Sequence, residues 1–179
     1  AAQQVTHSFL PLDPTTNLVD VVALEHLIKP NTKMLVCTHA SNVIGNTVDL
    51  KQIVEICHRH HVIVVLDAAQ TAGVLPIDMQ ALGIDILCFT GHKSLYGPEG
   101  TGGICFRRDL PVEPLISGGS GIDSFNHAMP DRLPERLEGG TINVPGIAGL
   151  GAGIDYLLKN DLQVMGKKTI ALADQFAHQ

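Results

Sequence analysis

Asp67 closes the apolar run Val62-Ile63-Val64-Val65-Leu66, and Lys93 follows a second such run, Ile84 to Phe89, in the segment Phe89-Thr90-Gly91-His92-Lys93. Two charged residues set just past two buried parallel strands cost stability unless they meet a partner. In open α/β sheets that partner is a ligand, bound outside the carboxyl ends of the strands. A lysine and a carboxylate together suit pyridoxal phosphate. The amine forms a Schiff base with the aldehyde, and the carboxylate keeps the pyridinium nitrogen protonated. The competing reading of Asp67 is a strand-end aspartate that caps the next turn. That of Lys93 is a solvated loop lysine.

Neighbouring residues extend the same chemistry. Gln70 lies three positions after Asp67, so a helical turn would put both side chains on one side. Its amide can donate to a phenolate oxygen while Asp67 meets the ring nitrogen. Thr90 and His92 can both donate to a phosphate, and Gly91 would let the backbone approach it closely. His39, Ser41 and Asn42 follow a strand that ends near Thr38, so they should reach the same sheet edge. Asn42 could donate to a ligand carboxylate or ring oxygen, or could make an Asx turn. The segment Gly97-Pro98-Glu99-Gly100-Thr101-Gly102-Gly103 is glycine-rich but lacks the Gly-Lys-Ser/Thr ending of a P-loop. No GxGxxG follows a suitable strand, which argues against a nicotinamide site. His58, His60 and His61 stand at a helix C-terminus, where histidine complements the dipole. No carboxylate or cysteine completes a ligand set around them, so no metal is expected. Arg132 and Arg136 read as ordinary surface.

The elements that must position these groups follow from pattern and punctuation. Asn17 is expected to cap a helix from about residue 18 to 28. Lys33 to Thr38 reads as a buried strand, and residues 39 to 47 as a polar loop. Asp49 should cap a helix to about His60, with Leu50, Ile53, Val54 and Cys57 on one face. The strand ending at Asp67 comes next, then a short helix over 78–82 stopped by Gly83. The strand ending at Phe89 follows. Strands alternating with helices predict a mostly parallel sheet with flanking helices. A last strand, Ile104 to Arg107, follows with little helix between and is expected to be antiparallel. Residues 109 to 143 look irregular, and a long loop in a compact domain is usually functional. A Gly/Ala-rich helix over 145–159 suggests close packing against another helix or a subunit. A final helix starts at Asn160-Asp161 and runs out near Gln179.

Bulk properties narrow the role. The 179 residues suffice for one domain with a substantial core. With 45% hydrophobic and 17% charged residues the balance is that of a globular protein. A net charge of -6 and a pI near 5.8 argue against nucleic acid or an anionic membrane as a partner. Aromatics make up only 4%, with no Trp, so stacking platforms for bases are missing. No run is long enough to span a bilayer, and AAQQVTHSF does not read as a signal peptide. The four cysteines make no CxxC pair. Cys37, Cys88 and Cys105 read as buried core residues, and a reducing, cytoplasmic setting is expected.

Four segments in order, THASNVIGNT, VIVVLDAAQTAG, ILCFTGHKSLYGPEGTGG and RLEGGTINVPGIAGLGAGI, resemble the class V aminotransferase family. The similarity is to its cysteine desulfurases and selenocysteine lyases above all, and covers about residues 12 to 160. It implies the large domain of fold-type I pyridoxal-phosphate enzymes, working as homodimers with shared active sites. It implies Lys93 as the Schiff-base lysine, Asp67 as the pyridinium partner and Gln70 as donor to the phenolic oxygen. Thr90 and His92 would bind the phosphate. Asn42 would lie near the cofactor oxygen and substrate carboxylate, and Thr141 would contact the phosphate of the partner subunit. The substrate implied is an amino acid, with cysteine giving alanine and an enzyme-bound persulfide that a sulfur-acceptor protein could take up. Another class V aminotransferase or lyase activity is the alternative, as is a non-catalytic cofactor-binding or dimerisation domain. Family members begin upstream of Ala1 and continue past Gln179 into a small domain that carries the substrate arginine and the nucleophilic cysteine. Residues 1–160 are thus expected to be part of a large domain truncated at both ends, and 161–179 a helix leading toward the small domain. These 179 residues alone are not expected to be active.

Overall fold

The computed structural model describes residues 5–122 and 125–178. Four strands form one sheet in the order β1-β2-β3-β4: β1 is Met34–Thr38, β2 Ile63–Asp67, β3 Ile86–Thr90 and β4 Gly102–Phe106. The first three are parallel and β4 is antiparallel to β3, as the short connection before it predicts. The helices are α1 Val21–Leu27, α2 Leu50–Arg59, α3 Met79–Leu82, α4 Val144–Lys159 and α5 Leu162–Ala177. Helix α5 begins at the expected place. Its expected end at Gln179 lies outside the described residues, as do the first four residues of the chain.

Helix α2 forms where its spacing places it. Asp49 accepts from the amide of Gln52 at 3.1 Å, and Leu50, Ile53, Val54 and Cys57 are buried. Such a cap is worth about 1 kcal/mol. These four residues pack with Leu24, Val62, Val64, Leu66 and Ile84 into the core. Helix α1 corrects the expectation for Asn17. Asp20 is its cap, accepting from Ala23 N at 2.9 Å. Asn17 instead sits at φ 55° in the turn begun by Asp13, because asparagine tolerates the left-handed region. Gly83 ends α3 at φ 73°, as expected.

Strand alternation divides the sheet into two faces. Leu35, Cys37, Val64, Leu66 and Leu87 face α1 and α2. Register puts Thr38, Asp67 and Cys88 side by side on the other face, with Val36, Val65, Thr90 and Ile104. That second face is open: Val36 is 66% and Ile104 53% exposed. The total accessible surface, 12752 Å², is about half as large again as the ~8,400 Å² of a compact monomer of this mass.

The end of the sheet away from Asp67 is held by a buried charge. Asp85 accepts from Val64 N at 2.7 Å and pairs with His58 Nε2 at 3.0 Å. Arg107 Nη1 lies 2.7 Å from its other oxygen. His60 pairs instead with Glu25, so the histidines of α2 tie the helix to carboxylates on α1 and at the start of β3.

Candidate functional site

Asp67 is the last residue of β2, and the chain folds at once into a tight turn. Its Oδ1 accepts from Ala69 N at 2.9 Å. Its Oδ2 has no partner among the described residues. Ala68 N donates to Cys88 O at 2.8 Å, and the amides of Thr71 and Ala72 both donate to Ala68 O. The turn is therefore built from its own backbone and anchored to β3. Asp67 and Gln70 are half-buried at the carboxyl edge of the sheet.

The lysine loop leaves the same edge from the neighbouring parallel strand. Thr90 Oγ1 and His92 Nδ1 are 2.6 Å apart, and His92 and Lys93 are exposed. Lys93 O accepts from Tyr96 N at 3.1 Å, a tight turn within the loop. Gly91 has a different reason from the one its sequence context suggests. A Cβ there would strike Thr101 Oγ1 and come within 3.1 Å of Leu150 Cδ1. It is buried against the glycine-rich turn and α4, so packing within the protein requires the glycine. Gly73 is the joint between the two segments. Its φ is +88°, and a Cβ would overlap the carbonyl group of Ser94, the residue after Lys93. The Asp67 turn and the Lys93 loop thus pack backbone against backbone.

The third segment is the loop after β1. Asn42 is exposed near the tip of a closed loop, where Ala40 bridges Thr47 and Ser41 Oγ accepts from the amides of Val43 and Ile44. His39 was placed at this edge by sequence; what it touches was not legible. It is buried, its amide donates to Asp67 O at 2.9 Å, and its Nδ1 lies 2.8 Å from Thr71 Oγ1. Thr71 escaped sequence reasoning altogether, since a threonine after LDAAQ carries no distinguishing local signal.

The structure does not bring Thr141 to this group. It is exposed in the long loop, with no hydrogen bond to Thr90, His92 or Lys93 among the described residues. In the same loop Arg132 is bidentate to Glu135, and Arg136 pairs with Glu113 and Asp131. The glycines of α4 do pack closely within the chain, against a loop: Gly149 meets Pro98 and Gly153 meets Leu95 and Tyr96, so the helix approaches the end of the lysine loop.

The cysteines need a correction. Cys57 is fully buried, Cys37 and Cys88 are half-buried, and Cys105 is exposed, because β4 is an edge strand. Burial pushes the Cys37 thiol up to about 11, with the Asp67 charge adding to the effect. Burial likewise raises Cys57 to about 11, helped by Cys37 and Asp85. Cys88 is raised by burial, then by Asp67 and Cys105. None of these three is an activated thiolate at neutral pH.

Known proteins are similar to this chain in sequence and structure. A probable cysteine desulfurase of Halalkalibacterium halodurans is 40% identical over 162 residues, 87% of this chain and 39% of that protein. The crystal structure of the cysteine desulfurase CsdA (S-sulfonic acid) from Escherichia coli matches with a TM-score of 0.75 at 34% identity, covering 86% of this chain and 39% of that one. SspA in complex with cysteine matches with a TM-score of 0.65 at 31% identity, covering 77% and 37%. The chain therefore spans about two fifths of the length of these relatives. The family model described as Aminotransferase class-V matches residues 1–179. With the sheet order, the strand-end aspartate and the lysine loop all in place, this chain belongs to the class V aminotransferase family.

Proposed function

We propose that this chain is the cofactor-binding part of a pyridoxal-phosphate enzyme that removes sulfur from cysteine. The observation that carries the reading is the joint between Gly73 and Ser94, which seats the Asp67 turn against the Lys93 loop at one sheet edge. The donor set fits the cofactor. Asp67 Oδ2 is an unused carboxylate oxygen on a half-buried residue, suited to a protonated ring nitrogen. Lys93 offers a primary amine for the aldehyde, and Gln70 an amide for the phenolic oxygen. Thr90 and His92 are already paired, and in either neutral tautomer one proton of the pair stays free for a phosphate oxygen. Asn42 would serve the substrate carboxylate side, and Thr141 of a second copy the phosphate.

When bound, the cofactor supplies an electron sink for the α-carbon. Asp67 would keep that sink charged, and the Lys93 amine would move the proton at the α-carbon. An acceptor thiolate would attack the sulfur of cysteine, forming the S–S bond of a persulfide as the carbon–sulfur bond breaks, with the bonding pair going to the β-carbon, which takes a proton to give alanine. The raised thiols of Cys37, Cys57 and Cys88 are poor acceptors, and Cys105 pairs with Leu87 on the sheet face opposite Asp67, so the acceptor cysteine belongs to another segment or protein.

Homodimerisation is part of the reading. Its support is the large exposed surface and a long loop in which Leu115 and Phe125 are each 98% exposed. Residues 1–160 belong to the large domain and 161–179 lead toward a smaller one. Gly166 of α5 packs on Val74, so that exit helix leaves from beside the Asp67 turn. Among the described residues no helix is long and apolar enough to cross a membrane. The four free thiols fit a reducing, cytoplasmic setting.

The test uses the purified holoprotein. Borohydride reduction and peptide mapping should place the pyridoxyl group on Lys93, and cysteine should yield alanine with sulfide or persulfide. Label on a different lysine overturns the site. Amino-group transfer to a keto acid without sulfur release overturns desulfuration and leaves an aminotransferase.

A further inference from the structure

Three buried polar side chains stand out among the described residues: His39, Thr71 and Asp85. Asp85 holds the far end of the sheet. The other two meet each other at the candidate site, 32 residues apart in sequence. Burying an imidazole and a hydroxyl costs stability unless they satisfy one another, and an apolar pair would fill the same space without that cost. What an apolar pair lacks is direction. A hydrogen bond fixes where Thr71 sits relative to β1, whereas dispersion contacts tolerate sliding.

His39 grips the turn at both ends. Its backbone amide bonds Asp67 O at 2.9 Å, and its ring bonds the Thr71 hydroxyl at 2.8 Å. Its carbonyl accepts from Val48 N at 3.1 Å, closing the loop that carries Asn42. One residue therefore ties the Asn42 loop to both termini of the segment that carries Asp67 and Gln70. Burial holds the imidazole below its ordinary range, so the bond to Thr71 is between neutral groups at neutral pH.

We propose that His39 is a positioning residue: its bond to Thr71 fixes the 67–71 turn so that the Asp67 carboxylate and the Gln70 amide are preset for the cofactor. The inference rests on the cofactor-binding reading above. Neither His39 nor Thr71 touches the cofactor in it. Both act through Asp67 and Gln70.

The test compares His39→Leu, Thr71→Val and Thr71→Ser in the purified protein. Thr71→Val is nearly isosteric, which keeps the test informative if His39→Leu fails to fold. Pyridoxal phosphate affinity should fall about tenfold in Thr71→Val, the size of one buried hydrogen bond, and Thr71→Ser should restore it. The pH midpoint of the bound chromophore should move upward in Thr71→Val. A ring nitrogen that loses its carboxylate partner loses its positive charge, which otherwise disfavours a proton on the lysine linkage. A bond that only stabilises the fold would lower the melting temperature and leave that midpoint in place. Wild-type affinity and midpoint in Thr71→Val overturn the proposal. Hydrogen exchange of the amides of residues 68–72 in the cofactor-free protein separates this outcome from failure of the functional reading. If the wild type binds no cofactor yet Thr71→Val speeds that exchange, the pin stands and the cofactor reading falls. If the exchange is unchanged, the pin falls with it.

Discussion

Asp67 uses one carboxylate oxygen to build its own turn, and the other has no partner among the described residues. Asp67→Asn keeps an Oδ1 for Ala69 N but removes the charge. Turnover in the holoprotein should therefore fall about a hundredfold, the usual loss for a preorganised charge-stabilising group. Thermal stability should hardly change. Steady-state kinetics beside a melting curve checks this, and a parallel fall of both would reduce Asp67 to a structural cap. His39 gives a prediction in pH. Burial lowers its pKa from the ordinary 6.5, so below that value the unfolded chain binds a proton that the native chain does not. Its contribution to stability is fully present above about pH 6.5 and declines as pH falls toward its own lower pKa. Melting temperatures of wild type and His39→Asn, measured from pH 8 to pH 5, should converge on the acid side.

At the scale of elements, two loops and one turn are held together by contacts that leave no room for a side chain. Gly73→Ala meets both a left-handed φ of +88° and the backbone of Ser94. The left-handed strain alone costs about 1–2 kcal/mol, and the clash must also push the Lys93 loop away from the Asp67 turn. Gly100→Ala shares the left-handed conformation, at φ +72°, but has open space around its Cβ. Both variants should lose stability. Only Gly73→Ala should also lose pyridoxal phosphate affinity, by tenfold or more, in an absorbance titration. Equal effects of the two would mean that the joint at Gly73 does not govern the site.

For the whole molecule the decisive quantity is uncovered surface. The sheet has a packed face and an open one, and the open face carries Asp67 and Thr90 beside exposed Val36 and Ile104. The excess surface of about 4,300 Å² over a compact monomer is more than one partner's half of a large obligate interface, which is roughly 1,000–2,500 Å². Among the described residues both sheet edges, β1 and β4, are also unpaired. Expressed by themselves, these 179 residues should self-associate and release no sulfide from cysteine. Light scattering and a cysteine assay check both. A monodisperse, active monomer would contradict the reading of an open face and a shared site.

What the sequence determined is what short-range pattern encodes. Leu50, Ile53, Val54 and Cys57 repeat with the helical period, so α2 and its buried face were legible, as was its cap at Asp49. Asp67 and Lys93 were legible as site candidates because a charge that ends an apolar run stands out against its neighbours. The antiparallel β4 followed from a connection too short for a crossover. The exposure of Cys105 was not legible: it sits in an apolar run like those of Cys37 and Cys88, and only sheet order makes β4 an edge. Nor was the choice between Asn17 and Asp20 as the cap, since both are good caps and the Asp13 turn claimed the first. Gly91 reads as a residue that lets the backbone approach a phosphate, yet what excludes a side chain there is Thr101 and Leu150, and at Gly73 it is the carbonyl of Ser94. The bond from His39 to Thr71 and the clamp of Asp85 by His58 and Arg107 belong to the same class. Each joins residues at least 22 apart. Such contacts leave no local periodicity, because they exist only once the strands are side by side. The tertiary structure alone decided them.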